Sequence, residues 1–385
     1  MRFLHTADWH AGKRLGRVSR TAEFEAVFDE LVSIAKDQKV DAVLVAGDLW
    51  DRPFPPLDAI ELVVDTLIRL ADAAGSVVAI RGNHDSGPLF QLLGRLLEPR
   101  GVALCHRICA PQEGGVLNIR SRDGTETASV AAFPFLHEAE VIDLMTDSAE
   151  WYKEYGDRVR MISQALCRVF DPARVGVLTA HYFVDGATVG GGERKIHMGP
   201  QYAAKVQSIP PGASYVALGH VHRPQAVEGA AATAHYAGSL LQLDFSEQTH
   251  HKQVVVVECK PGRAAQVEPI RLTSGRRLLR VTDELDNLAL RGGEFGDAYL
   301  DVRVKTSGPV FGLPDQVRKI LPNALMVQAE YDVAASPAGS SPKALERGMS
   351  ELYSDYHVQA HKVPASSELL EAVRELEEEL LGAAP

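Results

Sequence analysis

The sequence predicts a layered α/β protein, and two features of the chain indicate it. Up to about residue 270, short runs rich in Val, Ile, Leu and Ala alternate with longer amphipathic stretches, which is typical of sheets covered by helices. Three of the runs are almost entirely apolar, as expected for strands that are covered on both faces. The predicted strands of this part are 2–5, 42–46, 77–80, 129–132, 175–179, 215–218 and 253–258.

The last third of the chain has a different pattern and predicts further structural units. Short strands alternate with helices in a segment that we interpret as a small α+β cap domain, and small, flexible and proline residues then mark a linker. The predicted units are a first domain (1–272), the cap (276–332), the linker (333–341) and C-terminal helices (342–385), with cap strands at 277–282, 298–305 and 324–331, a cap helix near 311–320, and terminal helices at 342–356 and 367–381.

The second terminal helix is amphipathic. Its apolar side chains fall on one face, opposite a face rich in glutamate. Such a helix at the end of a linker suits docking onto a partner, and packing back onto its own domain is the alternative. The apolar face consists of Leu369, Val373, Leu376 and Leu380.

The charge of the chain bears on its partners. A formal net charge of -11 argues against a protein that coats nucleic acid by bulk attraction, but it does not exclude a nuclease. Divalent ions and local basic clusters could hold phosphates while the remaining surface stays acidic, although a charge run is usually a solvated face. The basic candidates for substrate binding are Lys13, Arg14, Arg17 and Arg52, and Arg20 extends the first cluster.

Two absences in the sequence predict a cytoplasmic protein. No apolar stretch approaches the length that crosses a bilayer, and the N-terminus lacks the apolar region and cleavage site of a signal peptide. The four cysteines lack the paired spacing of a zinc site and the density of a disulfide scaffold, so we expect them to be reduced.

Potential metal ligands follow five of the predicted strands. Each motif is weak alone, because a single His at a strand end is more often a hydrogen-bonded structural residue. Together they are specific, since ligands bind at the carboxyl ends of strands in parallel α/β sheets. In extended backbone, two residues separated by one also point to the same face. The seven predicted ligands are Asp8, His10, Asp48, Asn83, His181, His220 and His222.

The types of these side chains indicate the metal and the reaction. Carboxylate, amide oxygen and imidazole without thiolate favour Mn²⁺ or another divalent ion of similar hardness over a closed structural zinc site. Seven ligands exceed the needs of one ion, so we expect two ions that share a bridging carboxylate. Such a pair supports attack of hydroxide on a phosphoester. His84, beside the ligand Asn83, is the predicted catalytic residue that stabilises the leaving group.

The ordered set of motifs resembles the calcineurin-like metallophosphoesterase superfamily. It consists of Asp8-x-His10, Gly47-Asp48, Gly82-Asn83-His84-Asp85, His181 and Gly219-His220-x-His222. Three longer stretches are similar to the SbcD nuclease family, the bacterial counterpart of the archaeal and eukaryotic break-repair nuclease. They are residues 5–13, 47–51 and 236–240.

The resemblance implies a fold and a division of the ligands. The fold would be a metallophosphoesterase β-sandwich flanked by helices, with the cap and terminal helices appended. The resemblance further implies that Asp48 bridges two ions. One ion would be bound by Asp8, His10, Asp48 and His222, and the other by Asp48, Asn83, His181 and His220.

The resemblance also implies an activity and partners. The activity would be manganese-dependent exonuclease action on duplex DNA and endonuclease action on single strands or hairpins. The partner would be an SMC-like ATPase of the SbcC family, gripped by the terminal helices. A homodimer would form through the helices flanking the Gly82 motif, including residues 57–73. The apolar positions that fit such an interface, and equally fit a core-packed helix, are Ile60, Val63, Val64, Leu67 and Leu70.

Three residues near the predicted ligands need separate interpretation. Archaeal and eukaryotic relatives often carry a histidine where this chain has Asp51, so no role of that histidine is transferred. Trp9 and Trp50 adjoin the ligands and could stack on a base, but we expect them to pack behind the site.

The sequence is also compatible with two other functions. One is a phosphodiesterase for small substrates such as cyclic nucleotides, or a phosphoprotein phosphatase, with the same chemistry. The cap and terminal helices favour the nuclease, because a small-molecule enzyme has no evident need for a docking tail. The other is a non-catalytic adapter, which we would expect to have lost ligands or His84, and all of these residues are present.

Overall fold

The computed structural model describes residues 1–137, 155–193, 202–331 and 349–382. The predicted linker (333–341) and the predicted start of the terminal helices (342–348) lie outside the described residues. None of the described helices is long and apolar enough to cross a membrane. The helices are α1 (Thr21–Asp37), α2 (Leu57–Ala74), α3 (Gly87–Leu97), α4 (Tyr155–Cys167), α5 (Leu285–Arg291), α6 (Leu313–Ile320), α7 (Met349–His361) and α8 (Ser367–Gly382).

The strands alternate with these helices along the chain, as the sequence predicts. They are β1 (Arg2–Thr6), β2 (Arg14–Leu15), β3 (Val18–Ser19), β4 (Ala42–Val45), β5 (Val77–Ile80), β6 (Val102–Cys105), β7 (Val116–Arg120), β8 (Thr127–Phe133), β9 (Val175–His181), β10 (Phe183–Val184), β11 (Ala203–Ala204), β12 (Tyr215–Gly219), β13 (Gln225–Ala226), β14 (Ala234–Tyr236), β15 (Gln253–Glu258), β16 (Gln266–Arg271), β17 (Leu278–Asp283), β18 (Tyr299–Lys305) and β19 (Ala324–Glu330).

Two six-stranded sheets pack face to face. Their orders are β16-β15-β1-β4-β5-β6 and β13-β14-β12-β9-β8-β7. Strands β1, β4, β5 and β6 are parallel in the first sheet, and β8, β9, β12 and β14 are parallel in the second. Apolar side chains of both sheets form the shared core, among them Phe3, Leu44 and Val177, all without exposed surface. The predicted α/β sandwich is therefore confirmed.

Helices cover the outer faces of the sandwich. Helices α1, α2 and α3 pack on the first sheet, and α4 packs on the second. Strands β4, β5 and β9 are buried along their whole length because they are covered on both faces, which explains their apolar sequences. Val63, Leu67 and Leu70 of α2 lie in this core, which is the core-packed alternative that the sequence left open for these positions. Ile60 and Val64 pack against the same core.

The cap has its own sheet and core. Strands β17, β18 and β19 are parallel in that order, with α5 and α6 in the connections. Leu288, Val302 and Val317 lie in a separate apolar cluster of the cap. Helices α7 and α8 contact each other.

The cysteines and tryptophans have the expected structural roles. All four cysteines are free, in agreement with the predicted reduced state. Trp9 and Trp50 have no exposed surface, and their indole N–H groups donate to Thr6 Oγ1 (2.9 Å) and the Ala59 carbonyl (3.2 Å). Both tryptophans therefore pack behind the site, and neither is placed to stack on a base.

Candidate dinuclear metal centre

Five strand ends bring the seven predicted ligands together. Strands β1, β4 and β5 of the first sheet and β9 and β12 of the second end at the same edge of the sandwich, because neighbouring strands within each set are parallel. No ligand is more than 6% exposed, so bulk water cannot solvate these polar and charged side chains. The ligands are Asp8, His10, Asp48, Asn83, His181, His220 and His222.

The backbone of four of these residues is strained. Asp8, His10, Asp48 and His220 have φ angles of 51°, 49°, 54° and 93°, which residues with a Cβ rarely adopt. Hydrogen bonds between the loops hold this conformation: the Asp8 amide donates to the Gly47 carbonyl and the His10 amide to the Asp48 carbonyl, both at 3.0 Å. Such strain persists where the surrounding structure fixes it, as at functional sites.

Two glycines let the ligand loops approach one another. A Cβ added to Gly47 would overlap the His181 ring, and one added to Gly82 would overlap the Asp48 carboxylate and amide. Gly47 also has a φ of 93°. The glycines of the two sequence motifs are therefore required by close packing around Asp48.

The first group of ligands gathers around His10. Its Nε2 lies 3.1 Å from His222 Nε2, so the two imidazole nitrogens converge on one point. Asp8, His10 and His222 each place a ligand atom within 4.8 Å of the others. A buried carboxylate and two imidazoles that converge in this way are a suitable donor set for a divalent cation.

The second group gathers around Asn83. Its Oδ1 lies 2.8 Å from His220 Nδ1 and 3.1 Å from His181 Nε2. Asp48 lies between the two groups, since its Oδ2 is 3.6 Å from His10 Nε2 and 3.5 Å from His181 Nε2. The residues therefore fit two cations with Asp48 as the shared ligand, the division that the family resemblance implies.

Burial and neighbouring charges shift the pKa values of the ligands. Burial raises the pKa of Asp8 to about 6, because a carboxylate charge is costly away from water. Burial opposes the charge of His181, but the Asp48 carboxylate raises the pKa of this imidazole to about 9. Burial, assisted by His84, lowers the pKa of His10 to about 4, so its ring is neutral and able to bind a metal.

A buried ion pair orients His222. Glu247 Oε1 lies 3.1 Å from His222 Nδ1, and Lys252 Nζ donates to Glu247 Oε2 at 2.7 Å. Lys252 also donates to Ser239 Oγ and to the His222 carbonyl. A hydrogen bond at Nδ1 fixes the tautomer and leaves Nε2 to face the site. The sequence motifs did not identify Glu247 and Lys252. The available signal was Ser239, which accepts a hydrogen bond from Lys252 and lies in the stretch 236–240 that resembles the family.

Asp85 fixes the loops rather than contributing a ligand. Its carboxylate accepts hydrogen bonds from the amides of Gly82 (2.9 Å), Trp50 (3.1 Å) and Leu49 (3.3 Å). It therefore ties the loop after β5 to the loop after β4. Sequence reasoning noted this residue in the motif but assigned it no function.

His84 lies at the edge of the centre. Its amide donates to Asp48 Oδ1 (2.8 Å), and its Nδ1 is 2.7 Å from the Asp51 carbonyl. Its ring meets that of His10 edge-on, with centroids 4.6 Å apart. A ring nitrogen of His84 lies within 4.8 Å of ligand atoms of His10 and Asp48. The predicted catalytic residue therefore stands beside the proposed metal ligands.

Comparison with known proteins identifies the family. The family model for calcineurin-like phosphoesterases matches residues 1–224. This chain belongs to that family. The SbcD subunit of the SbcCD nuclease from Bacillus subtilis is 34% identical over 284 residues, which are 73% of this chain and 72% of the relative. This match also shows that the chain belongs to the SbcD family.

Two further relatives with the same name support this assignment. The one from Escherichia coli K12 is 29% identical over 328 residues, 80% of this chain and 78% of the relative. The one from Rhodobacter capsulatus is 30% identical over 282 residues, 70% of this chain and 69% of the relative. The chain is therefore a metal-dependent phosphodiesterase of the SbcD family, and the small-substrate alternative is not favoured.

The basic residues of this phosphodiesterase differ in their accessibility. Arg14 and Arg17 are exposed on the β2–β3 hairpin, and Arg52 is also exposed. Lys13 is partly exposed and forms an ion pair with Asp51 (3.1 Å). Arg20 is only 1% exposed and pairs with a glutamate of α1, so its inclusion in the phosphate-binding cluster was wrong.

A cleft runs between this hairpin and the cap. Its volume is about 910 Å³, and Lys13, Arg14 and Arg17 line one side. Arg318 and Met326 of the cap line the other side. Gly192 also lines the cleft, and a Cβ added to it would lie 2.9 Å from His222 Nδ1, so the cleft reaches the side of His222 that faces Glu247.

Proposed function

We propose that this chain is a manganese-dependent DNA nuclease that works as the nuclease subunit of an SbcCD-type complex. The relatives named above are nuclease subunits, and the matches cover more than two thirds of their length. The observation that carries the proposal is the position of Asp48 between two groups of buried ligands, with His84 alongside. This arrangement suits hydrolysis of a phosphodiester.

The ligands would be divided as the resemblance implies. Asp8, His10 and His222 would bind one ion, and Asp48 would be shared. Asn83, His181 and His220 would complete the second site. When bound, two divalent ions polarise the phosphoryl oxygens and lower the pKa of a water that attacks in line. The absence of thiolate among the donors favours Mn²⁺.

His84 would act on the leaving oxygen. The Asp51 carbonyl accepts the proton of His84 Nδ1, which fixes the ring plane and the tautomer. In its imidazolium form, His84 would donate a hydrogen bond from Nε2 to the leaving oxygen and transfer that proton to it, which leaves a neutral ring with its remaining proton on Nδ1. General acid catalysis of this kind contributes roughly 10²–10⁴-fold to the rate.

The cleft beside the cap would hold DNA. Lys13, Arg14 and Arg17 would contact phosphates from one side of the cleft and Arg318 of the cap from the other, and Arg52, which is exposed but does not line the cleft, would add a further contact. Such contacts position a nucleic acid without reading its sequence. The resemblance further indicates exonuclease action on duplex ends and endonuclease action on single strands and hairpins.

The partners would bind away from the cleft. Helices α7 and α8 would dock onto an SMC-like ATPase of the SbcC family. A homodimer would form through α2, α3 and the turn before α2, where large apolar side chains are exposed. Val63, Leu67 and Leu70 of α2 would not take part, because they lie in the core. The exposed side chains are Phe54, Leu57, Leu92 and Leu96, exposed by 57% or more. We place the complex in the cytoplasm.

Digestion of end-labelled linear duplex DNA tests the proposed activity. The purified chain is incubated with Mn²⁺, Mg²⁺ or EDTA, and a cyclic nucleotide is offered in parallel. The proposal predicts Mn²⁺-dependent degradation of DNA that EDTA abolishes. Turnover of the cyclic nucleotide with intact DNA would instead support a small-substrate phosphodiesterase, and inactivity on both, with the partner ATPase present, would support a non-catalytic adapter.

A further inference from the structure

The first strand of the cap, β17, meets a loop of the phosphoesterase domain. Among the described residues it is an edge strand, and amides on its outer edge have no partner strand there. The Leu278 amide donates to Gln242 Oε1 (2.7 Å), and the Arg280 amide donates to Gln248 Oε1 (2.9 Å). Two glutamine side chains therefore take the place of a neighbouring strand along this edge.

Gln242 also holds the turn that follows it. Its Nε2 lies 3.0 Å from the Glu247 carbonyl and 3.2 Å from the carbonyls of Gln248 and His250. One side chain thus bonds the cap through its oxygen and the turn through its nitrogen. A movement of β17 away from this loop would break contacts on which the conformation of the turn depends.

The turn carries Glu247, which orients a proposed metal ligand. Glu247 has no exposed surface, and its Oε2 accepts from the Leu243 amide (3.0 Å) and from Lys252. Its Oε1 meets His222 Nδ1, and the opposite ring nitrogen faces His10 Nε2 at 3.1 Å. The path from β17 through Gln242 to the metal centre is therefore continuous and consists of buried or half-buried hydrogen bonds, whereas the bond between Gln248 and the Arg280 amide is exposed.

An apolar cluster joins the same parts. Phe245 of the turn packs with Leu278 and Tyr299 of the cap and with Leu15 of the basic hairpin. All four side chains are less than 10% exposed. The turn, the cap and the hairpin that lines the cleft thus share one small core, and displacement of the cap would open it.

From these contacts we infer that Gln242 and Gln248 are positioning residues that couple the cap to the metal centre through Glu247 and His222. The inference rests on the proposed function, because it requires that His222 binds an ion. Coupling between two sites is reciprocal. If docking of β17 strengthens metal binding by some factor, metal binding strengthens docking by the same factor.

Two measurements on the full chain test this coupling. Hydrogen exchange of the peptide that contains residues 278–283 is followed in EDTA and in Mn²⁺, and Mn²⁺ affinity is measured by calorimetry. Gln248→Ala removes the acceptor for the Arg280 amide, and Gln248→Glu keeps an acceptor there. Gln328→Ala alters an exposed glutamine on β19, the opposite edge of the cap sheet, and serves as the matched control.

We expect Mn²⁺ to slow exchange in residues 278–283 of the wild type. Gln248→Ala should reduce this protection and weaken one Mn²⁺-binding step by about threefold to tenfold, the usual effect of one hydrogen bond. Gln248→Glu should restore both, and Gln328→Ala should change neither. Gln242→Ala, which removes contacts on both sides, should give the larger effect if it folds.

Two results would overturn the coupling while leaving the proposed function intact. One is exchange of residues 278–283 at the same rate in EDTA and in Mn²⁺. The other is unchanged Mn²⁺ affinity in a folded Gln248→Ala variant. A wild-type chain that binds no Mn²⁺ at all would overturn both the coupling and the proposed function.

Discussion

At the scale of single residues, the centre requires a glycine next to the proposed bridging ligand as well as the ligands themselves. Gly82 passes so close to Asp48 that a Cβ would overlap its carboxylate and amide. The His84 amide donates to the same carboxylate. The shape of this loop therefore fixes the orientation of the proposed bridging ligand.

Gly82→Ala should destabilise the protein and disturb the metal centre. Overpacking a tight contact costs about 1–3 kcal/mol, and here the backbone of two loops must move. Urea unfolding should show this loss, and calorimetry should show weaker Mn²⁺ binding. Gly293→Ala in the cap is the control, because a Cβ there meets no atom within 4 Å. Equal effects of the two substitutions would contradict this explanation.

His5 predicts a pH dependence of stability that is independent of metal. Burial lowers the pKa of this imidazole from 6.5 to about 3, and its nitrogens contact Tyr215 Oη (2.9 Å) and the Leu218 carbonyl (3.2 Å). Between these pH values the unfolded chain binds a proton that the folded chain does not. Its contribution to the free energy of unfolding therefore falls by about 1.4 kcal/mol per unit as pH drops from 6.5 towards 3.

The check is urea unfolding across that pH range, with EDTA present to remove trace metal. His5→Gln should lose less stability than the wild type as pH falls. The slopes of the free energy of unfolding against pH should differ by the equivalent of about one bound proton. His251→Gln, at an exposed histidine, is the control. Parallel pH profiles for the wild type and His5→Gln would show that His5 is not held neutral.

The residues that sequence reasoning identified and those that it missed differ in a physical way. Asp8, His10 and Asp48 follow strands in short motifs, so their convergence could be predicted from the sheet. Glu247 and Lys252 act on His222 from a loop that is close only after folding. No local spacing relates them to the ligand, and their role depends on burial and tertiary contacts.

At the scale of elements, the contact between α1 and the cap has a measurable energetic consequence. Arg20 is buried and pairs with Glu23 through two hydrogen bonds of 3.0 and 2.8 Å. Glu23 also accepts from the Arg276 amide at the start of the cap (2.8 Å). Burial disfavours the negative charge of Glu23, but the Arg20 guanidinium outweighs this effect and the pKa of Glu23 is lowered.

Glu23→Ala should destabilise the protein by roughly 3–5 kcal/mol, because it leaves a buried guanidinium without its carboxylate. Asp29→Ala is the matched control on the same helix. Asp29 pairs with Arg69 at 2.6 Å, but both side chains are exposed, so its loss should cost less than about 1 kcal/mol. Denaturant unfolding measures both variants, and similar losses would contradict the assigned importance of burial.

The elements also show which strands a sequence can predict. Buried strands such as β4 and β5 are recognisable because both faces are apolar. The edge strands β7 and β16 escaped prediction, since two of the five side chains of β7 and three of the six of β16 are polar and their pairing is set by the neighbouring strand. Strand β14 escaped because it is only three residues long. Short and edge strands are defined by tertiary pairing rather than by their own pattern.

At the scale of the whole molecule, a net charge of -11 coexists with a basic hairpin beside the cleft. The acidic surface disfavours nonspecific DNA binding, whereas cations at the proposed centre and the hairpin arginines would favour binding in the cleft. The cap completes this cleft from the other side. The fold thereby places basic side chains along the cleft in which DNA would bind.

The proposed activity requires that seven residues form a two-ion centre with His84 as a catalyst beside it. Calorimetric titration with Mn²⁺, combined with DNA digestion on the same preparations, measures both properties together. We expect the wild-type chain to bind two ions, and Asp48→Asn to bind fewer ions or to bind them much more weakly. His84→Ala should still bind two ions, but its DNA cleavage should be reduced by about 10²-fold or more. A wild-type chain that binds one ion, or a His84→Ala variant that loses an ion together with its activity, would contradict this arrangement.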